Sequence, residues 1–585
     1  MEKTNWDLSK IYSSEEDFYA DLERIRKGAN KLKELKDDFS ANFKEILTTF
    51  VEVSELSQRT YVYSHMKRDE DSRVTFGQTV ALESEAVNNE LSTAASYIRP
   101  SLLALTDNEL NELITQNDLE KYRVYLEKMF RFKPHTLSDK EEYIMGAMAN
   151  SQEAPENAYY LLMNADMIYP RIKSLDNIRL SAANYVNLLK NSNRKVREEA
   201  FDKMYKTLKM VDNTISSTLY SNINNTVTEA RLRNYESALE MALFADNVEL
   251  KVYDTLIEVI RENLPTLHEY YKIRKEHLGL EEQHMYDVYL PLTSDYNVEI
   301  PYEEAKEILL KALAPLGDEY IEILKEGFES NWIDVYPREG KKSGAYSWGE
   351  YKSSPYILMN YTDDLDSLFT LAHELGHSLH SYYSRKNNDF VYSGYTIFVA
   401  EVASTTNELL LLDYLIKNAS SDEEKLYLIN HYVDSFKSTV FRQTMFAEFE
   451  KITHDLLEKN QVLTLDVFNE IHYKLNVDYF GDAVFVDDDI ALEWARIPHF
   501  YSDFYVYKYA TGFTCAVLLS QNILNGKEGA LEKYLNFLKD GGNNYPIDQL
   551  KAAGADITKK ETLDLAMNVF KEQVKELENL LKKNS

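Results

Sequence analysis

The residues best suited to chemistry are two histidines that flank a glutamate, in the segment His373-Glu374-Leu375-Gly376-His377. On a helix, residues four apart are separated by about 40° around the axis and about 6 Å along it, so both imidazoles can reach one ion. Glu374 then lies beside the ion without binding it and can take a proton from a bound water. The flanking residues are compatible with a helix. The pattern therefore predicts a zinc site with a catalytic water, rather than two solvated or core histidines.

A zinc site that keeps a position for water needs a third protein ligand. Tyr383 occupies the position where the metzincin pattern has its third histidine, and His380 replaces the glycine of that pattern, so this class is excluded. His380 is expected to be a helix-face residue, because a fourth ligand would close the water position.

Two acids on a second predicted helix are the candidates for the remaining ligand. Glu401 and Glu408 are seven residues apart, so they share a helix face but are separated by about 10 Å along the axis and cannot both reach one ion. We expect Glu401 to bind the metal and Glu408 to accept a hydrogen bond from a ligand histidine. The alternative for Glu408 is a solvent-facing acid.

The composition describes the molecule that carries these residues. Glycine and proline number 18 and 12 among 585 residues, which favours long helices with few turns. The formal net charge of −32 would repel nucleic acid and anionic membranes, and neither is expected as a partner. One cysteine, no apolar segment long enough to span a membrane and no signal-peptide core predict a soluble, cytoplasmic protein.

Helical periodicity covers most of the chain, and three regions are expected along it. These are an N-terminal helical region at 1–115, a helical subdomain at 116–195 and a catalytic region at 196–585.

Aromatic and β-branched residues at 330–361 predict a small sheet directly before the His373 helix. Gly344, Ala345 and Tyr346 lie in the expected edge strand, whereas residues 355–361 are apolar enough to be internal. An edge strand can pair with the backbone of an extended peptide, so these three residues are candidates for substrate binding. Ordinary structural strands are the alternative.

Further motifs occur along the chain: Trp6-Asp-Leu8, Phe132-Lys-Pro-His135, Gly344-Ala-Tyr-Ser347, Pro355-Tyr-Ile-Leu-Met-Asn-Tyr361, Phe441-Arg-Gln-Thr-Met445, Ile497-Pro-His-Phe-Tyr501 and Tyr505-Val-Tyr-Lys-Tyr-Ala-Thr-Gly512. With the His373 segment and Glu401-Val-Ala-Ser404, they resemble the oligoendopeptidase F family, relatives of thimet oligopeptidase and neurolysin, over nearly the whole chain. The resemblance implies a mainly α-helical, two-lobed metallopeptidase with a small β-sheet beside the zinc-binding helix and a deep central channel. It also implies one zinc ion per chain, held by His373, His377 and Glu401.

Peptide hydrolysis also needs donors that stabilise the oxyanion formed when water attacks the carbonyl. His499 and the tyrosines after it are the densest group of such donors outside the metal motif. The family implies a histidine and one or two tyrosines in this role, which map to His499, Tyr501 and Tyr507. The register is open, and Tyr505 or Tyr509 could replace one of these tyrosines.

The sequence thus predicts a zinc-dependent endopeptidase that hydrolyses short peptides, with Glu374 as the proton acceptor. A zinc carboxypeptidase-type exopeptidase is the alternative among enzymes, and a non-catalytic peptide-binding protein is the alternative from another class. A monomer and a small homo-oligomer are both compatible with the sequence.

Overall fold

The computed structural model describes residues 4–293 and 298–584, and these are mainly α-helical, as predicted. Up to residue 293 the helices are α1 (Glu15–Glu34), α2 (Phe43–Glu70), α3 (Thr75–Ala95), α4 (Ile98–Ala104), α5 (Asp107–Gln116), α6 (Arg123–Phe130), α7 (Asp139–Gln152), α8 (Ala154–Leu161), α9 (Tyr185–Leu189), α10 (Arg194–Leu208), α11 (Asp212–Leu232), α12 (Ala238–Phe244), α13 (Leu250–Glu262) and α14 (Leu264–His277).

From residue 298 onward the chain is again mainly helical. Its helices are α15 (Tyr302–Ala312), α16 (Asp318–Glu329), α17 (Leu365–Asn387), α18 (Ile397–Asn418), α19 (Asp422–Ser435), α20 (Arg442–Glu458), α21 (Leu465–Phe480), α22 (Tyr507–Leu524), α23 (Ala530–Asp540), α24 (Pro546–Ala553) and α25 (Lys560–Asn584). The strands are β1 (Arg171–Ile172), β2 (Ile178–Arg179), β3 (Ile333–Asp334), β4 (Tyr346–Trp348) and β5 (Tyr356–Leu358).

The chain forms two compact units, and each is built from three separate segments. Unit 1 comprises Met1–Thr136, Asn297–Tyr414 and Leu519–Ala555. Unit 2 comprises Leu137–Tyr296, Leu415–Leu518 and Asp556–Ser585. This division follows contacts within the fold. The three contiguous regions at 1–115, 116–195 and 196–585 stay a prediction.

The core of unit 1 joins the first residues of the chain to the small sheet. Trp6 is buried, and its ring centroid lies 6.3 Å from those of both Tyr346 and Tyr356. The Tyr356 hydroxyl donates to the backbone carbonyl of Asp7 at 3.0 Å. Apolar faces of α1, α2 and α3 close the same core, because their buried residues recur with helical spacing.

The sheet beside the His373 helix has the strand order β3-β5-β4. β3 runs parallel and β4 antiparallel to β5, with Ser347 opposite Ile357. All residues of β5 are buried, whereas β4 is half-buried and is an edge strand. The predicted small sheet, with an internal and an edge strand, is therefore confirmed. The edge strand begins later than predicted, because Gly344 has a positive φ of 82° and lies with Ala345 before β4.

Unit 2 is held together by a buried ionic cluster as well as by apolar packing. Glu493, in the 3₁₀ segment Asp488–Arg496, accepts hydrogen bonds from Arg442 of α20 and from Arg496. His472 of α21 lies 3.3 Å from the second oxygen of the same carboxylate. Within the described residues, no helix is long and apolar enough to cross a membrane.

Candidate metal centre

Helix α17 presents the predicted metal-binding residues on one of its faces. The Asp364 side chain caps the first turn by accepting the Ser367 N–H at 2.7 Å. Leucines and an alanine bury the opposite face, namely Leu368, Leu371, Ala372, Leu375 and Leu379. The side chains of His373 and His377 are left 28% and 18% exposed, enough for a ligand to reach them.

Three donor atoms converge in unit 1. The two Nε2 atoms of His373 and His377 are 3.1 Å apart. Glu401, on α18, places one carboxylate oxygen 3.5 Å from His373 Nε2 and the other 3.9 Å from His377 Nε2. Among the described residues, these three form the one group of histidine, cysteine and acidic side chains that could hold a metal ion.

The donor set fits zinc. With zinc–nitrogen distances of 2.0–2.1 Å, ligand atoms at the corners of a tetrahedron are roughly 3.3 Å apart, close to the separations seen here. Two imidazoles and one carboxylate are typical of catalytic zinc sites, which leave the fourth corner open.

Helix α18 also orients the two histidine rings. Glu408 Oε1 lies 2.5 Å from His373 Nδ1, so that Nε2 is the nitrogen that faces Glu401. Burial lowers the pKa of His373, but the hydrogen bond and charge of Glu408 outweigh burial and raise this pKa to about 9. His377 hydrogen-bonds to the backbone carbonyl of Ala400, and burial with the nearby His373 lowers its pKa to about 3.

Glu374 is buried next to these donors. Burial raises its pKa to about 7, and the Glu401 carboxylate adds to that shift, while His373 acts in the opposite direction. The backbone N–H of Ser347, on β4, hydrogen-bonds to the Glu374 carboxylate. The Oε2 atom of Glu374 is buried and has no protein hydrogen-bond partner within the described residues. Such an atom is suited to accept a hydrogen bond from a water or a substrate.

The candidate substrate strand lies against this helix. Ser347 and Ser378 of α17 share a hydrogen bond of 2.8 Å between their hydroxyl groups. The Tyr346 hydroxyl donates to Asp69 at 3.0 Å, so its side chain is occupied within unit 1. The Gly344 carbonyl accepts from Asn360 at 2.7 Å, while Gly344 is exposed and Ala345 is half-buried.

Gly376 lets α17 and α18 approach each other closely. A Cβ at this position would lie 2.5 Å from the Ser404 Cα and 2.9 Å from the Ala403 carbonyl oxygen. This role of Gly376 was not among the predictions from the sequence. A signal for it was nevertheless present. Glycine destabilises the interior of a helix, so a glycine within a strongly helical pattern indicates that close packing requires it.

His380 and Tyr383 do not belong to the group of metal-binding candidates formed by His373, His377 and Glu401. The His380 ring is buried and stacks on Tyr395 with centroids 3.6 Å apart, and burial lowers its pKa to about 3. Tyr383 is buried and stacks on Tyr320.

The predicted oxyanion donors belong to unit 2, where Tyr501 and Tyr507 are buried and His499 is half-buried. Tyr507 is fully buried, with its ring centroid 5.1 Å from that of Tyr253, and burial and the nearby Asp246 hold its pKa well above its usual range. Tyr501 is also buried, stacks on Tyr159 and shares a hydrogen bond of 2.7 Å with Thr218. Both side chains are therefore part of the packing of unit 2.

The other two tyrosines lie beside His499. Tyr505 and Tyr509 are half-buried and pack edge-to-face with ring centroids 5.3 Å apart. His499 packs edge-to-face on Tyr509 at 6.1 Å. We call His499, Tyr505 and Tyr509 the donor cluster. From the sequence, these tyrosines were only alternatives, because spacing alone does not show which tyrosine side chains are buried in the core.

A mainly α-helical fold with a His-Glu-x-x-His helix and a glutamate ligand on a second helix defines a class of metallopeptidase. The family model described as peptidase family M3 matches residues 187–569, and the model described as Oligopeptidase F matches residues 101–169. The chain therefore belongs to peptidase family M3, and it is a metal-dependent endopeptidase.

Individual relatives match this chain over nearly its full length. The oligopeptidase PepF of Bacillus subtilis is 41% identical over 99% of this chain and 87% of its own. The group B oligopeptidase PepB of Streptococcus agalactiae is 39% identical over 100% of this chain and 98% of its own. The crystal structure of oligoendopeptidase-F from Enterococcus faecium has a TM-score of 0.75 and 35% identity, covering 97% of this chain and 99% of that chain.

Proposed function

We propose that this chain is a zinc-dependent endopeptidase that hydrolyses internal bonds of short peptides. The observation that carries the proposal is the convergence of His373, His377 and Glu401, with the buried Glu374 carboxylate next to them. The names of the relatives, as oligopeptidases, support short peptides as the substrate class.

His373 Nε2, His377 Nε2 and one Glu401 oxygen would hold one zinc ion per chain. When bound, zinc lowers the pKa of a coordinated water and polarises the carbonyl group of the scissile bond. Glu408 contributes by accepting a hydrogen bond from the Nδ1–H of His373, which fixes the tautomer and the direction of the ring.

Glu374 moves the proton in this mechanism. Its Oε2 is buried without a protein partner and accepts a proton as the attacking water forms its bond to the carbonyl carbon. The same oxygen then gives this proton to the nitrogen of the leaving amine. A raised pKa suits both steps, because a carboxylate whose pKa lies near the working pH can accept a proton and release it again.

The donor cluster supplies hydrogen bonds to the developing oxyanion. We assign this role to His499, Tyr505 and Tyr509 and not to Tyr507 or Tyr501. Tyr505 and Tyr509 are half-buried, whereas Tyr501 and Tyr507 are buried within unit 2. Such donors act on the charge that appears in the transition state.

The backbone of β4 would bind the peptide. β4 is an edge strand with β5 on one side, so its other side can add an extended substrate strand. Gly344 and Ala345 directly precede β4, and backbone groups of these two residues and of Tyr346 would contact the peptide. The Tyr346 side chain takes no part, because its hydroxyl is bonded to Asp69.

Replacing the proton acceptor tests the mechanism. Glu374→Gln should keep zinc at one ion per chain and lower kcat by several orders of magnitude, because the amide cannot accept the proton. The measurement is cleavage of an internally quenched peptide blocked at both ends, followed by mass spectrometry, together with metal analysis.

Asp366→Asn is the matched control, since it removes a carboxylate from an exposed position in the first turn of the same helix. It should cleave the peptide at a near-normal rate. Near-normal turnover by Glu374→Gln with zinc bound would contradict the proposed role of Glu374.

A further inference from the structure

The chain bends sharply just before the tyrosines of the donor cluster. Phe504, between the 3₁₀ helix Pro498–Tyr501 and α22, has a φ of +58°. This left-handed conformation is unfavourable for a bulky side chain and persists only when its surroundings impose it. Tyr505 follows directly, so the bend decides in which direction Tyr505 leaves the loop.

Glu450 of α20 contacts this bend through a single hydrogen bond. Its Oε1 accepts the Phe504 N–H at 2.8 Å, and the Glu450 side chain is 2% exposed. The Phe504 ring packs on His454 with centroids 4.4 Å apart and on Tyr253 at 5.9 Å. Both the backbone and the ring of Phe504 are therefore fixed from the core of unit 2.

The residue before the bend is fixed as well. Asp503 accepts hydrogen bonds from Asn222 at 3.1 Å and from Thr226, both on α11. His454 Nε2 lies 3.4 Å from the Asp503 carboxylate. The loop is thus attached to α11 at Asp503 and to α20 at Phe504.

Two carboxyl groups lie close together in this buried region. Burial and the Asp503 carboxylate hold the pKa of Glu450 well above its usual range, although the Phe504 N–H acts in the opposite direction. Glu450 Oε2 is buried without a hydrogen-bond partner in the described part of the chain. A neutral Glu450 presents the same acceptor to Phe504 as a glutamine amide does.

We propose that Glu450 is a positioning residue for peptide hydrolysis, which fixes the left-handed bend at Phe504 and thereby sets the direction in which Tyr505 leaves the loop. The inference rests on the proposed role of the donor cluster. Without the acceptor on Glu450, the buried Phe504 N–H loses its partner, and the backbone can relax to a negative φ. Tyr505 then leaves the orientation in which its hydroxyl stabilises the oxyanion.

Two substitutions of Glu450 separate the hydrogen bond from the charge. Glu450→Gln keeps an acceptor for the Phe504 N–H and should hold kcat within roughly threefold of the unaltered enzyme. Glu450→Met keeps the length of the side chain but removes the acceptor, and it should lower kcat by roughly 10- to 100-fold through misplacement of the donors. KM and zinc content should change little in both, because the donors act only in the transition state.

Glycine and alanine at position 504 test the bend itself. Both remove the Phe504 ring, but glycine adopts a positive φ readily and alanine does not. In the Glu450→Met background, Phe504→Gly should therefore have a kcat roughly five- to tenfold above that of Phe504→Ala. Equal rates for the two double variants would overturn the inference, and so would a Glu450→Gln enzyme as slow as Glu450→Met.

The single variants Tyr505→Phe and Tyr509→Phe distinguish this inference from the proposed function. If they lower kcat while Glu450→Met does not, the inference about Glu450 fails and the donor role stands. If neither Tyr505→Phe nor Tyr509→Phe lowers kcat, the donor role fails, and the inference about Glu450 fails with it. Circular dichroism of each variant checks that unit 2 is folded. If Glu450→Met does not fold, the comparison of Phe504→Gly with Phe504→Ala in the unaltered chain decides, and equal rates there overturn the inference.

Discussion

Tyr509 of the donor cluster and the core residue Tyr507 are only two positions apart in the sequence. Successive helix residues turn by about 100°, so Tyr507 and Tyr509, two residues apart in α22, project from almost opposite sides of the helix. Tyr507 packs against Tyr253, whereas Tyr509 packs beside His499. The chemistry of a phenol is the same at each position, and only the direction of the side chain decides its role.

Removal of single hydroxyl groups tests this assignment. Tyr505→Phe and Tyr509→Phe should each lower kcat by about 10²- to 10³-fold, the usual effect of losing one oxyanion donor. Tyr507→Phe is the same chemical change in the core and should leave kcat nearly unaltered. Steady-state kinetics on one quenched peptide provides the comparison. A large loss confined to Tyr507→Phe would instead support the register first mapped from the sequence.

The convergence of the two histidines was predictable from local spacing, whereas the surroundings of the tyrosines after His499 were not. His373 and His377 are four residues apart on one helix, and a helix converts that spacing into a fixed geometry. Tyr505 and Tyr509 follow a bend whose conformation depends on Glu450, more than fifty residues earlier in the chain. A contact of that kind leaves no periodic signal in the sequence.

At the scale of elements, the centre depends on how closely α17 and α18 approach each other. His373 and His377 lie on α17, and Glu401 and Glu408 lie on α18. The missing side chain of Gly376 allows the two backbones to touch at Ser404. The distance between the candidate ligands on α17 and α18 therefore depends on Gly376, which is not itself a ligand.

Gly376→Ala should push the two helices apart. Overpacking of this kind lowers the free energy of unfolding by about 1–3 kcal/mol, and the zinc content should fall because Glu401 moves away from the histidines. Gly394→Ala is the control, since its Cβ would meet no atom within 4 Å and its φ is not in the left-handed region. Denaturant unfolding and metal analysis measure both effects. Equal stability and zinc content in the two variants would contradict this account.

The small sheet was predictable at this scale, but its contacts were not. Apolar residues at 355–361 and a more polar segment before them were enough to distinguish an internal strand from an edge strand. The hydrogen bond from the Ser347 backbone to Glu374 depends on how β4 lies on α17, and no local pattern encodes that packing. The deep channel implied by the family resemblance stays a prediction.

At the scale of the whole molecule, the chain alternates between two units, and unit 2 contains the charged cluster around Glu493. Burial alone would raise the pKa of this carboxyl group, but Arg442 and Arg496 outweigh burial and hold the pKa well below its usual value of 4.5. A group whose pKa is lowered by folding stabilises the protein at pH values above its unfolded pKa. That stabilisation is lost progressively as the pH falls below about 4.5.

Glu493→Gln should lower the free energy of unfolding by about 3–5 kcal/mol at pH 7, because two half-buried guanidinium groups lose their buried carboxylate partner. The difference from the unaltered protein should stay constant down to about pH 4.5 and shrink at lower pH, where Glu493 itself becomes protonated on unfolding. Urea unfolding at pH 7 and pH 4 measures both values.

Asp488→Asn, at an exposed position in the same 3₁₀ segment, is the control and should change stability by less than about 0.5 kcal/mol. A difference for Glu493→Gln that grows as the pH falls would contradict the assigned direction of the pKa shift.

The contact between the first residues and the sheet has a consequence for synthesis on the ribosome. The hydrogen bond from Tyr356 to Asp7 joins residues 349 positions apart. At about 5–20 residues per second, Tyr356 emerges roughly 20–70 s after Asp7. During that interval Trp6 and the surface of α1 to α3 that later covers β5 lack their partner. The nascent chain therefore exposes an apolar surface until more than half of the protein has been made.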